Sequence, residues 1–252
     1  MIELKTADEL ELMRRAGRVV AGLLAYLSGL VQPGIKTKEL DQEARAYLRR
    51  QGAQPAFLGY RGFPASICVS VNEEIVHGIP GERRIAEGDL VSLDVGAVVE
   101  GFYADAATTL GVGAIPPEAR RLVETTERAL REGIARATVG KRLSDISHTV
   151  QTVVEREGFG VVRDFVGHGI GRALHEDPPI PNFGPPDVGP RLTTGMVLAI
   201  EPMVTMGRYE VEVLADGWTA VTKDRSLTAH FEHTVAITER GADVLTGRGS
   251  GS

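Results

Sequence analysis

Cysteine is nearly absent. Cys68 is alone among 252 residues, which excludes an intrachain disulfide and a cysteine-rich zinc module and fits a reducing compartment. Long apolar runs are also missing, so no segment reads as a membrane span. The first residues, MIELKTADELELMRR, are charged throughout and lack the apolar core of a signal peptide, and the expected location is the cytoplasm. Positive charge is not in excess. A net charge of −6 and a pI near 5.6 argue against a sequence-specific nucleic-acid binder. Aromatic residues are only 5% of the chain, yet three of them crowd the glycine-broken loop FLGYRGFP at 57–64. What remains is a globular composition, 42% hydrophobic, enough to bury a substantial core as one domain over 1–252.

Two helices open the chain. Thr6 and Glu9 form a capping box before Leu12, Ala16, Val19, Val20, Leu23 and Leu27, and Pro33-Gly34 stands after that helix. Thr37 is the expected cap of a second helix that carries Leu40, Ala44 and Leu48 to a stop at Gly52. A strand over Ser66–Val71 follows the aromatic loop. The second half repeats the plan: Pro116-Pro117 opens a helix that Gly140 breaks, and another runs from Ser144 to Gly158. Gly34, Gly52 and Gly88 thereby correspond to Gly140, Gly158 and Gly195, and two pseudo-repeat halves, about 7–113 and 114–241, are expected to pack about a pseudo-twofold axis. Residues from Glu210 to Thr238 read as strands around the turn Ala215-Asp216-Gly217, and TGRGSGS (246–252) reads as a frayed end.

Between these units, GDLVSLDVGAVVEGFYADAATTLGVG (88–113) reads as a β-hairpin broken at Glu100-Gly101. An even-numbered loop places Asp94 and Asp105 on one face. Two acids there are either a solvent-washed surface pair or a pair held by a cation. Other ionisable residues stand in apolar strand contexts: His168 in FVGHGIG, Glu201 in VLAIEPMV and Glu232 in HFEHTVAI. Four carboxylates and one imidazole in one fold would gather about four negative charges, which two divalent cations balance. The oxygen-rich set suits manganese, iron or cobalt better than a structural zinc. His148, on an amphipathic helix, reads as a surface residue. His233 points away from Glu232 and reads as a packing residue or one behind the ligands, while His230 shares the Glu232 face and is either a packing residue or one that supports the ligands.

The segments LGYRGFP, VNEEIVHGIP, the Asp94–Asp105 hairpin, GHGIGRALHEDP, GMVLAIEP and DGWTAVTKDRSLTAHFEHT resemble, in order, the motifs of the type I methionine aminopeptidases of the short bacterial form, over about Leu10 to Gly241. The resemblance implies an α/β (α+β) pita-bread fold: two pseudo-twofold halves, a central curved antiparallel sheet and helices outside. It implies Asp94, Asp105, His168, Glu201 and Glu232 as ligands of two divalent ions (cobalt, manganese, iron, nickel or zinc), Asp105 and Glu232 bridging. The implied activity is removal of the initiator methionine from nascent proteins and peptides, with a small second residue favoured, by hydroxide activated between the ions. His175 would orient the carbonyl, His77 would act at the scissile amide, and Glu201 would shuttle protons as well as bind metal. The implied partners are nascent polypeptide N-termini, with the ribosome as one setting. No membrane or nucleic-acid partner is expected, and the chain is expected to be a monomer.

A thioether is long, flexible and polarizable, so an apolar slot with aromatic edges holds it best. Tyr60, Phe63, Cys68, His77, Leu174 and Trp218 are the expected lining. Three positions depart from the family pattern: Phe57 replaces a small residue, Leu174 stands where Phe is frequent, and His230 stands where an amide is common. They touch the pocket wall and leave the ligands alone. Two rival readings are weighed against this one. An aminopeptidase P or prolidase-like enzyme on the same fold carries a further N-terminal domain that 252 residues do not house, and a binding module that has lost its ligands conflicts with five filled positions.

Overall fold

The computed structural model describes residues 1–247. Helix α1 (Ala7–Ser28) begins at the capping box of Thr6 and Glu9 and ends before Pro33, while α2 (Thr37–Arg50) follows Lys36. Thr37 is therefore the first helical residue and not the cap. Its hydroxyl instead binds the backbone of Gly81, and the Glu39 carboxylate satisfies the Lys36 amide. Strands β1 (Gln54–Pro55), β2 (Ile67–Val71) and β3 (Glu74–Val76) lead to the hairpin of β4 (Leu90–Val99) and β5 (Phe102–Gly111). Helices α3 (Pro117–Arg136) and α4 (Leu143–Arg156) come next; α3 stops short of Gly140, and α4 starts one residue before Ser144, after Arg142. Then follow β6 (Gly160–Val161), β7 (Gly167–Gly169), β8 (Glu176–Ile180), β9 (Val197–Ile200), β10 (Met203–Thr205), β11 (Val211–Val213), β12 (Ala220–Thr222), β13 (Thr228–His230), β14 (Glu232–Thr238) and β15 (Gly241–Val244).

The principal sheet is antiparallel, in the order β1-β4-β5-β14-β9-β7-β8, with β2 also on β4 and β15 also on β14. All residues of β2 are buried, so this strand is covered on both faces and shows no one-sided alternation. The helices pack in pairs. Leu23, Leu27, Leu40 and Leu48 of α1 and α2 meet Ile67, Leu93 and Val95 of the sheet, whereas Leu122, Ile146 and Val150 of α3 and α4 meet Leu198, Ile200 and Val235.

Local geometry recurs between the two helix pairs. Lys36 bridges Arg84 as Arg142 bridges Arg191, and both helices that follow are closed by a carboxylate reaching back to the preceding amide. Gly34 and Gly140 have φ of 95° and 87°, and Gly88 and Gly195 have 88° and 94°, conformations that L side chains avoid.

The chain after Val244 does not fray at once. Thr246 is 2% exposed, and its hydroxyl accepts from the Thr234 amide and pairs with the His233 ring. A threonine that satisfies two buried polar groups is tied down whatever the polarity of its neighbours. The rest of the expected frayed end, 248–252, lies outside the described residues.

Candidate metal centre and substrate cleft

Strand register gathers the ionisable residues on one face. In the hairpin Asp94 pairs with Ala107, and Gly96 with Asp105, so the two aspartates are diagonal neighbours on the same side. Glu100 and Gly101 form the two-residue loop between the strands, both with positive φ, as the primed hairpin turns require. Ala107 in turn pairs with Glu232 of β14, which carries the row across to a third carboxylate. Two residues further along β14, Thr234 faces Ala199, and Ala199 faces His168. Glu201 follows β9 at the parity of Ala199. His233, opposite Ala106 and Ile200, lies on the reverse face, and His148 is exposed on α4, as their positions predicted.

His168 sits on a strand squeezed between β8 and β9. A side chain at Gly167 would strike the carbonyl of Ala199, and one at Gly169 that of Asp177, so only glycine fits on either side of the histidine. The His168 Nδ1 faces the Gly169 carbonyl at 2.9 Å, which fixes the ring and leaves Nε2 turned inward. That nitrogen lies 3.5 Å from an oxygen of Asp105 and 3.5 Å from one of Glu201. Asp105, His168 and Glu232 each present a donor atom within 4.8 Å of the others. The Thr234 hydroxyl holds Asp105 in place by accepting from its amide and meeting its carbonyl and carboxylate.

Nothing cationic compensates these acids among the described residues; no lysine or arginine pairs with Asp94, Asp105, Glu201 or Glu232. Burial above all pushes them toward the neutral form, Asp94 and Asp105 to about 7, Glu201 to about 8, and Glu232 well above the carboxylate range, and repulsion by neighbouring acids adds to it at Asp94, Glu201 and Glu232. One Asp94 oxygen is buried without any hydrogen-bond partner. Four anionic oxygen donors, one oriented imidazole nitrogen and an orphaned carboxylate oxygen fit divalent cations.

The cleft above this cluster has a volume of about 140 Å³ and brings together the residues expected there except His230, which was expected at the wall and does not line it. Tyr60, Phe63, Cys68, Leu174 and Trp218 form its apolar side, and His77 and His175 stand between them and the carboxylates. The Phe63 ring meets Trp218 edge-on at 5.1 Å. His175 stacks on Tyr60 at 5.2 Å and lies 4.1 Å from the His168 ring. His77 follows β3 with φ of 61°, a left-handed conformation costly for a non-glycine residue and one that turns the ring toward Phe165 and Trp218. Burial, followed by neighbouring imidazoles, lowers His77 to about 4 and His175 to about 3, so both are neutral at pH 7. Sequence reasoning missed two lining residues, Val76 and Arg61. Arg61, left-handed at φ 49° between glycines, lays its guanidinium 5.4 Å from the centre of the Tyr60 ring. The flanking glycines were the sole signal for it.

Residues 11–239 match metallopeptidase family M24. The chain is 56% identical over 246 residues to methionine aminopeptidase 1 of Bacillus subtilis, covering 98% of this chain and 99% of that one. It superposes with a TM-score of 0.97 on the crystal structure of methionine aminopeptidase from Thermotoga maritima, at 48% identity and covering 98% and 100% of the two chains. Prolidase from Pyrococcus furiosus, 23% identical and 65% covered, shares the fold at a TM-score of 0.79. The architecture is the pita-bread fold, a curled antiparallel sheet backed by four helices. By sequence and by structure, this chain belongs to metallopeptidase family M24 and, within it, to the methionine aminopeptidases.

Proposed function

We propose that this protein removes the N-terminal methionine from nascent proteins and peptides, favouring a small second residue. The observation that carries this reading is the set of four clustered carboxylates, Asp105 and Glu232 buried and Asp94 and Glu201 half-buried, without a lysine or arginine partner among the described residues, set beneath an apolar cleft with two neutral imidazoles. In this reading Asp94, Asp105, His168, Glu201 and Glu232 would hold the divalent ions. When bound, the ions supply Lewis acidity and activate water at neutral pH. Tyr60, Phe63, Cys68, Leu174 and Trp218 enclose the methionine side chain. His175, neutral at working pH, donates its ring N–H to the scissile carbonyl, His77 contacts the scissile amide, and Glu201 moves the proton from the attacking water to the leaving amine. The protein acts in the cytoplasm as a monomer on the ends of nascent chains. The recurring bridges and left-handed glycines support reading 7–113 and 114–241 as two copies of one unit within a single catalytic domain.

The test is metal analysis beside a cleavage assay on Met-Gly-Met. Chelation abolishes release of methionine, and cobalt or manganese restores it. Cleavage by protein verified as metal-free would refute the mechanism.

A further inference from the structure

His230 is the most anomalous side chain outside the proposed ligand set. It is 1% exposed, and both of its ring nitrogens are buried without a hydrogen-bond partner. Its backbone, in contrast, is clamped. The Thr109 hydroxyl accepts from the His230 amide at 2.8 Å and donates to its carbonyl at 2.8 Å, and Ser92 braces that hydroxyl from the neighbouring strand. A residue held so firmly by its backbone has a fixed Cα, from which the ring can reach only a few staggered positions. Two unpaired polar atoms there are costly unless the ring meets a partner in the working protein.

The partner within reach is Glu201. His230 Nε2 lies 3.7 Å from Glu201 Oε2, while His168 Nε2 lies 3.5 Å from the other oxygen, Oε1. The two oxygens of one carboxylate thus face two different imidazoles. The 3.7 Å separation is roughly 0.7 Å longer than an ordinary N–H···O bond, a gap that a small side-chain rotation closes. The Glu201 carbonyl is already fixed by the Asn182 amide, and no hydrogen bond among the described residues reaches either carboxylate oxygen. An imidazole can offer an N–H from Nε2 to a carboxylate oxygen.

We propose that His230 is a positioning residue: its Nε2–H donates to Glu201 Oε2, so that Glu201 presents Oε1 alone toward the ion it shares with His168. This rests on the reading of Glu201 as a ligand. Such outer partners set ligand orientation, and removing one typically weakens metal binding by 10- to 100-fold.

The test compares cobalt binding by the metal-free wild-type protein with that of His230→Leu and His230→Gln, using calorimetry and the visible absorption of the cobalt-loaded forms. Leu matches the volume without a donor, whereas the Gln amide retains one. The Leu variant is expected to bind cobalt about 10- to 100-fold more weakly. Its visible bands should also be less intense, because a freed Glu201 can turn both oxygens onto the ion and raise the coordination number. The Gln variant should stay within about threefold of wild type. If the Leu variant does not fold without metal, His230→Asn, whose amide is too short to reach Glu201, replaces it. Wild-type affinity and spectrum in the variant without a donor, or a Gln variant as impaired as Leu, would overturn the assignment. A wild-type protein that binds no cobalt would instead overturn the ligand reading of Glu201.

Discussion

Removing cations from this site should make the protein less stable as the solution becomes more alkaline, and the size of the effect can be worked from the buried groups. Asp94 and Asp105 ionise at about 7 and Glu201 at about 8 in the folded, metal-free chain, against 3.8 for an aspartate and 4.5 for a glutamate in the open. An acid with a raised folded pKa holds a proton that the unfolded chain has lost. Its contribution to stability is complete below the unfolded pKa and is lost as pH climbs through the folded one. Histidines work in the opposite sense. His77, His175 and His233 are lowered to about 4, 3 and 4 from 6.5, chiefly by burial, so their neutral folded forms gain stability as pH rises to about 6.5 and add nothing beyond it. The two effects oppose each other below 6.5, and the carboxyl effect stands alone from 6.5 to 8. If only one proton is retained by the whole cluster, the slope is about 1.4 kcal/mol per pH unit, or about 2 kcal/mol over that interval. For a chain of this size that lowers Tm by about 4–8 °C. The assay is thermal unfolding of chelated protein across pH 5 to 8, with a cobalt-loaded sample alongside. The metal-free protein should melt highest near pH 6 to 6.5 and then decline, while the loaded protein holds its Tm. A chelated sample whose Tm is level or rises from pH 6.5 to 8 would show that the carboxylates are not clustered and buried as described.

Three further expectations concern single residues. His77→Ala and His175→Ala should each lower kcat by about two to four orders of magnitude with metal content intact, and loss of metal from either would make that histidine a ligand. Trp218→Ala should raise KM for methionyl peptides and narrow the preference for Met over Leu, since an apolar wall discriminates by about 1 to 3 kcal/mol per methylene; unchanged KM and selectivity would assign Trp218 to packing alone. Thr234→Val keeps the shape of a residue with no exposed surface but leaves the Asp105 amide unpaired. It should cost about 1 to 3 kcal/mol in chemical denaturation, and a stability equal to wild type would mean the hydroxyl does not anchor that aspartate.

The hairpin was the most legible part of the chain. A pleat of period two and a two-residue loop leave no freedom in which residues share a face, so Asp94 and Asp105 followed from their numbers. His168, Glu201 and Glu232 were legible for a different reason, as ionisable residues in strands too apolar to tolerate them unaided. Strands of three residues such as β7, β10 and β13 carry no periodic signal, and their pairing is fixed by distant partners. Thr234 could not be picked out, because its bond to Asp105 joins residues 129 positions apart. Thr37 and Thr246 were misread alike: each has a local reading, cap or frayed end, that a tertiary hydrogen bond replaces.

The same long separations constrain the order of events during folding. Asp94 and Glu232 become neighbours only through Ala107, which requires β14 to dock on β5 late in the chain. Closing so large a loop is slow, and a chain made only as far as the hairpin holds two of the five proposed donors. Divalent ions then meet a finished scaffold and cannot template one. Their grip would be felt on the way out of the native state, so added metal should slow unfolding severalfold while leaving the refolding rate nearly untouched, the signature of contacts made after the folding barrier.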